Sequence, residues 1–213
     1  SFGQFLMALT ISKGSYVNMF KSDKYYIIVS NSSFIIIKDG GNIETVIELQ
    51  SFIPNVPAYH HLYDTDKKDY IDEIKRQIKK LKIKDAIELE VDKRMLIEFF
   101  LQFGVKKAQV NFQCYYMNLD NKKYISISKT CRMIVLQYIS YNKTFIKKYY
   151  DKNYIDIEQI KKDINNVQDD NMMYSILPIY INNINNDMEE IKDIGDLVSL
   201  DEFVVNIMKN EIK

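Results

Sequence analysis

Gly14-Ser15, followed by Ser22-Asp23, is the first place in the chain where residue types suggest a reaction. A Gly-Ser turn ahead of two carboxylates one residue apart suits metal-dependent nucleotidyl transfer. The paired acids hold two metal ions, which bridge a triphosphate and the attacking hydroxyl. Here the second acid is missing, because Tyr25 stands two residues after Asp23, and the step from Ser15 to Asp23 is short. The stretch reads instead as scaffold, with a Ser-Asp turn inside a hairpin.

The other reactive groups are scattered. The two histidines, His60 and His61, are adjacent. Neighbours on an extended segment point to opposite sides, and Cys114 and Cys131 lie far along the chain, so no zinc set is expected. Acid-x-Lys patterns of the kind many nucleases use occur at 64–68, 72–75 and 189–192. A chain this rich in Lys, Asp and Glu produces such triplets by chance, and a nuclease also needs an acid at the end of a core strand. No catalytic residue, metal or cofactor is expected. Cys114 and Cys131 are expected as reduced thiols.

One feature is electrostatic. Over 69–84, Ile71, Ile74, Ile78 and Leu81 recur at helical spacing and form one stripe. Lys75, Arg76, Lys79, Lys80 and Lys82 lie mostly off it. Phosphate contacts need only positive charge within reach, so this face is the candidate DNA-binding surface. Asp72 and Glu73 dilute it in the first turn, where acids favour the helix dipole.

The elements that must position these groups alternate. An apolar helix is predicted over 2–11, then four antiparallel strands within 15–53, with Gly40-Gly41 supplying a hairpin turn. The basic helix and a strand "AIELEV" follow. A buried helix over 93–103 closes at Gly104. Three strands, "AQVNFQCYYMNL", "KYISISK" and "RMIVLQYI", come next. Ile157, Ile160, Ile164 and Val167 mark another helix, "YSILPIYI" a short strand, and Ser199 with Glu202 a capping box opening the last helix. The fold class is α+β, with a first unit over 1–84 and a second over 85–213.

The two units echo each other. "QFLMAL" leads through Gly14 to a strand, a polar turn and Lys24-Tyr25, with Phe34 in the next strand. "LIEFFLQF" leads through Gly104 to a strand, a polar turn and Lys123-Tyr124, with Met133 in the next.

Repeated helix-plus-meander units resemble those of DNA sliding clamps, especially the T-even-type phage clamps. The resemblance rests on "ALTISKGSYVNMFKSDKYYIIVSNSSFIIIKDG" and "AIELEVDKRMLIEFFLQFGVKKAQVNFQCYYMNLDNKKYISIS". It implies a clamp-like, non-catalytic processivity factor that closes as a homo-oligomer around duplex DNA and works with replication or transcription proteins. The C-terminal helix is an addition to that plan. An interaction or structural protein without a DNA role is the alternative, and a carboxylate-dependent nuclease a further one.

Composition fits a soluble, cytoplasmic protein. With 46% hydrophobic and 27% charged residues and zero formal net charge, an ordinary core is expected and whole-molecule attraction to polyanions is not. No apolar run approaches the ~18 residues of a membrane span. The 26 lysines against 3 arginines point to an AT-rich genome of a phage, virus or low-GC microbe.

Overall fold

The computed structural model describes residues 24–90, 97–171 and 175–211. The helix expected over 2–11, the strand "YVNMF" and the Gly14–Asp23 turn chemistry lie outside the described residues.

Strands β1 (Lys24–Val29), β2 (Ser33–Lys38) and β3 (Asn42–Glu48) form an antiparallel meander. A 3-10 turn (Ala58–Tyr63) and helix α1 (Lys68–Lys80) then carry the chain back across the sheet. Strand β4 (Asp85–Glu90) thus lies parallel beside β1. Helix α2 (Ile97–Gln102) precedes β5 (Lys107–Phe112), parallel beside β4. The spatial order is β3-β2-β1-β4-β5.

The second half repeats this plan. Strands β6 (Lys123–Lys129), β7 (Met133–Ser140) and β8 (Lys143–Asp151) form the meander. Helix α3 (Ile157–Asn171) leads to β9 (Ile179–Asn182), parallel to β6, and β10 (Asp196–Val198) lies parallel to β9. The order β10-β9-β6-β7-β8 is that of the first sheet. Helix α4 (Leu200–Glu211) follows. Lys24-Tyr25 opens β1 and Lys123-Tyr124 opens β6, the same step of each copy.

This architecture corrects the clamp-like one. The units are mixed sheets, not a helix followed by an antiparallel meander. β1–β4, β4–β5, β6–β9 and β9–β10 are all parallel pairs, and a parallel pair requires a crossover connection. Helix α1 is that crossover for β1 and β4. "AQVNFQCYY" does not open a new meander. Its first half is β5 of the first sheet, and Gln113–Tyr116 is a 3-10 turn.

Burial follows from position in the sheet. The central strand β1 is covered on both faces. Tyr25, Ile27 and Val29 enter one core cluster, while Tyr26 and Ile28 enter another. A near-continuous apolar run is what a strand covered twice requires. The first cluster lies under α1 and α2, where Phe34, Phe99, Phe100 and Phe103 pack together. Ile74 and Ile78 of α1 are buried there, and Ile71 and Leu81 pack against it. The second cluster is shared by both sheets and is filled by Cys114, Tyr116 and Met117 with Phe203, Val204 and Ile207 of α4. The third lies under α3. The capping box of α4 forms as its spacing predicts: Ser199 N–H donates to Glu202 Oε2 at 2.9 Å, and Glu202 N–H to Ser199 Oγ at 3.3 Å.

Candidate functional site

Two turns with the same wiring end the first strand of each half. After β1, Ser30 Oγ accepts the N–H of Ser33 at 2.9 Å and of Ser32 at 3.3 Å, while Ser30 N–H donates to Ser33 O at 3.0 Å. After β6, Thr130 Oγ1 accepts the N–H of Met133 at 3.1 Å and of Arg132 at 3.2 Å. Thr130 N–H donates to Met133 O at 2.8 Å. A short hydroxyl side chain that bonds its own backbone two and three residues on makes a compact turn. The chain therefore carries Ser or Thr at the same step of both copies for the same reason.

Both turns border one cavity of about 110 Å³. The end of β9 and the loop after it, through Asn182, Ile184 and Asp187, form its third wall. The cavity thus lies beyond the carboxyl ends of β1, β6 and β9. In each sheet the chain leaves the first strand toward β2 or β7 on one side, while β4 or β9 lies on the other. Such a divergence opens a crevice at the strand ends, the usual position of a ligand in an open sheet with parallel strands.

The wall between the halves is polar and fully engaged. Gln113, in the 3-10 turn after β5, donates through Nε2 to Leu89 O at 2.8 Å and Val29 O at 3.1 Å. Its Oε1 accepts from Asn182 Nδ2 at 2.7 Å. One buried amide thereby joins the ends of β1 and β4 to the end of β9. Asn183 fixes the following loop, accepting from Met188 N–H and donating to Glu189 Oε1, both at 3.0 Å.

Two cations stand at the mouth. Lys129 Nζ donates to the main-chain carbonyl of Asp187 at 3.2 Å, and Arg132 Nε to that of Asn55 at 3.4 Å. Carbonyl partners hold these heads in place without neutralising them. The Asp187 residue supplies the one acidic side chain of the lining. Outside the cavity lining, Ser126 and Ser128 lie on β6, the strand that ends at the Thr130 turn. Their hydroxyls are buried without a hydrogen-bond partner among the described residues. The arrangement can hold a small polar molecule with donors from both halves. Among the described residues no group of three His, Cys, Asp or Glu side chains is placed to hold a metal ion.

No protein-family model matches this chain, and no curated protein matches its sequence. Its structure is similar to several solved ones. The ethanolamine utilization protein EutJ of Carboxydothermus hydrogenoformans is 8% identical, with 87% of this chain and 89% of that one covered and a TM-score of 0.48. A protein named as an N-acetylglucosamine kinase of Porphyromonas gingivalis is 9% identical over 88% and 99%, with a TM-score of 0.49. A Bacteroides thetaiotaomicron protein described as having an actin-like ATPase fold and unknown function is 10% identical over 89% and 97%, with a TM-score of 0.41. None of these three is a sliding clamp. At such identities and scores the likeness says nothing of ligand or reaction. The strand order is what overturns the clamp resemblance, and the reading as a DNA-encircling processivity factor for replication falls with it.

The residues singled out by sequence lie elsewhere. Lys75, Arg76, Lys79 and Lys80 line a shallow strip of α1, and Lys82 sits past its end at a positive φ of 52°. Part of that charge is met locally. Arg76 Nε donates to Glu73 at 3.0 Å, and Lys75 Nζ is 3.8 Å from Asp72. The hydrogen bonds from Arg76 and Gln77 hold the Glu73 carboxyl below the usual range. His61 Nδ1 lies 2.7 Å from Asp64, whose carboxyl is lowered chiefly by that bond. This pair packs beside Phe52 rather than near the cavity. Cys114 is buried in the shared core, whereas Cys131 borders the cavity, and neither forms a disulfide.

Sequence reasoning missed Ser30, Gln113, Lys129, Thr130, Arg132 and Asn182. The internal echo carried part of the signal. The Lys-Tyr pairs opening β1 and β6 are each followed, at the end of the strand, by a hydroxyl residue in a polar turn. Gln113 and Asn182 carried none, because a lone amide in a Tyr- or Asn-rich run looks like any other.

Proposed function

We propose that this chain binds a small anionic compound, carried on a phosphoryl or carboxylate group, in the crevice between its two sheets. The observation that carries the reading is the meeting of the two equivalent turns at one cavity, with Lys129 and Arg132 tethered by carbonyls and left charged. A charge-assisted hydrogen bond from a lysine or arginine to an anionic oxygen is among the stronger polar contacts. The cavity, about 110 Å³, is smaller than the roughly 150 Å³ hole that takes up benzene in another protein. It suits the charged head of a ligand, with the remainder extending into the open mouth.

The test is thermal unfolding with inorganic phosphate, a hexose phosphate and a nucleoside diphosphate, each at millimolar concentration. A ligand at 100 times its Kd adds about 2.7 kcal/mol to the folded state, so the melting temperature should rise by several degrees. The Lys129→Gln/Arg132→Gln variant should remain folded by circular dichroism and lose the shift. An unchanged melting temperature with all three compounds, or a shift that survives in the variant, overturns the reading.

A further inference from the structure

The two sheets end, among the described residues, in strands of opposite charge. β3 closes the first sheet and β8 the second. β3 carries Glu44 and Glu48 and no cation, whereas β8 carries Lys143, Lys147 and Lys148 against Asp151. Both strands are exposed along most of their length, unlike the central strands. Each has an apolar residue between its charges: Val46, 43% exposed, between Glu44 and Glu48, and Phe145, 63% exposed, between Lys143 and Lys147.

The charges of the two edges are complementary. β3 carries two acids and no cation, and β8 three lysines and one acid. Opposite charges across a strand pair are favourable. Both edges also bulge at the equivalent step: Glu44 is left over between Ile37↔Ile43 and Ile36↔Thr45, and Phe145 between Ile139↔Thr144 and Tyr138↔Ile146. A bulge increases local twist, so the two edges twist alike.

We infer that β3 of one copy adds to β8 of a second copy, giving a head-to-tail assembly that continues from copy to copy. The contact is heterologous, because the two edges are different surfaces of one chain, and such contacts build rings or filaments rather than closed twofold dimers. Main-chain hydrogen bonds along the new strand pair supply attraction, and the opposite charges select the partner edge. Lysines on an edge strand also serve to keep strands apart. The acidic partner edge on the same molecule is what turns that guard into a selector.

Light scattering after size exclusion, at rising concentration in low salt, tests this. The wild-type weight-average mass should climb above that of one chain and fall back in high salt, where exposed charges are screened. Glu44→Lys/Glu48→Lys should stay at one chain, because both of its edges are then basic. Lys143→Glu/Lys147→Glu should do the same, with both edges acidic. Mixing the two variants should restore the higher mass, since every contact between unlike copies is again opposite in charge. Circular dichroism of each variant shows that it is folded. A wild type that stays at one chain at all concentrations overturns the inference. So does an assembly that stops at two copies, or one that mixing the variants fails to restore.

Discussion

Tyr124 and Gln113 show how single polar groups hold the shared core. The Tyr124 hydroxyl donates to Cys114 O at 2.6 Å, and the ring is buried against Tyr180. Burial, followed by the nearby Cys114, pushes its ionisation well above the ordinary tyrosine range. Tyr150, half-buried and donating to Asp163 at 2.8 Å, is raised by its partial burial and then by that carboxylate. In the unfolded chain both lose their protons near pH 10. The folded state then binds more protons than the unfolded one, so stability is intact below about pH 10 and falls as the pH rises above it. Tyr124→Phe should cost about 1 kcal/mol at neutral pH through the lost hydrogen bond. It should also flatten the alkaline fall, leaving the part due to Tyr150. Urea midpoints at neutral pH and at several values above pH 10 measure both effects, and an unchanged alkaline slope would sink the assignment. Gln113 has a different weight: its amide satisfies two carbonyls of the first sheet while accepting from the second, so it sets spacing between the halves more than charge.

At the scale of elements, short helices survive by what they bury. α2 is described over only six residues, Ile97–Gln102, too few to be stable alone in water. It is held by Phe99 and Phe100, both buried in the first core cluster. The ring of Phe100 lies 5.2 Å from that of Phe34 and 5.4 Å from that of Phe99. Phe100→Ala should therefore cost on the order of 3–5 kcal/mol, as emptying a core aromatic site does. A urea midpoint that stays put would place the side chain outside the core. The edge strands behave in the opposite way. β8 mixes lysines and aromatics without a two-residue alternation and leaves most of them in solvent, which is why its sequence, "KTFIKKYYD", gives so weak a strand signal.

For the whole molecule, the second core cluster decides cooperativity. Tyr26, Ile28, Ile37 and Leu89 of the first sheet share it with Tyr124, Ile139 and Tyr180 of the second, and Phe203, Val204 and Ile207 of α4 pack into it. Neither sheet can expose its inner face without opening the other's core. Unfolding should therefore be a single transition, with far-ultraviolet circular dichroism and tyrosine fluorescence changing together. Two separated transitions would mean that the halves are held by something weaker than this shared core. The crevice with the candidate site lies at one margin of that contact, so any change in the angle between the sheets changes the distance between the Ser30 and Thr130 turns.

Local pattern was enough to determine the pieces whose cause is local. The stripe of Ile71, Ile74, Ile78 and Leu81 made α1, Ser199 and Glu202 made the start of α4, and the β-branched runs made β1, β2, β6 and β7. The paired Lys-Tyr openings exposed the repetition. Strand pairing was beyond that pattern, because whether "AIELEV" starts a new meander or returns beside β1 depends on a long connection from Val29 to Asp85, which includes β2, β3, a 3-10 turn and α1. The same apolar run serves either arrangement. Only the tertiary structure made those pairs parallel, brought the ends of β1, β6 and β9 to one cavity, and gave Gln113 and Asn182 each other as partners. A polar side chain takes its role from what faces it across the fold, and nothing within a few residues of Gln113 or Asn182 encodes that partner.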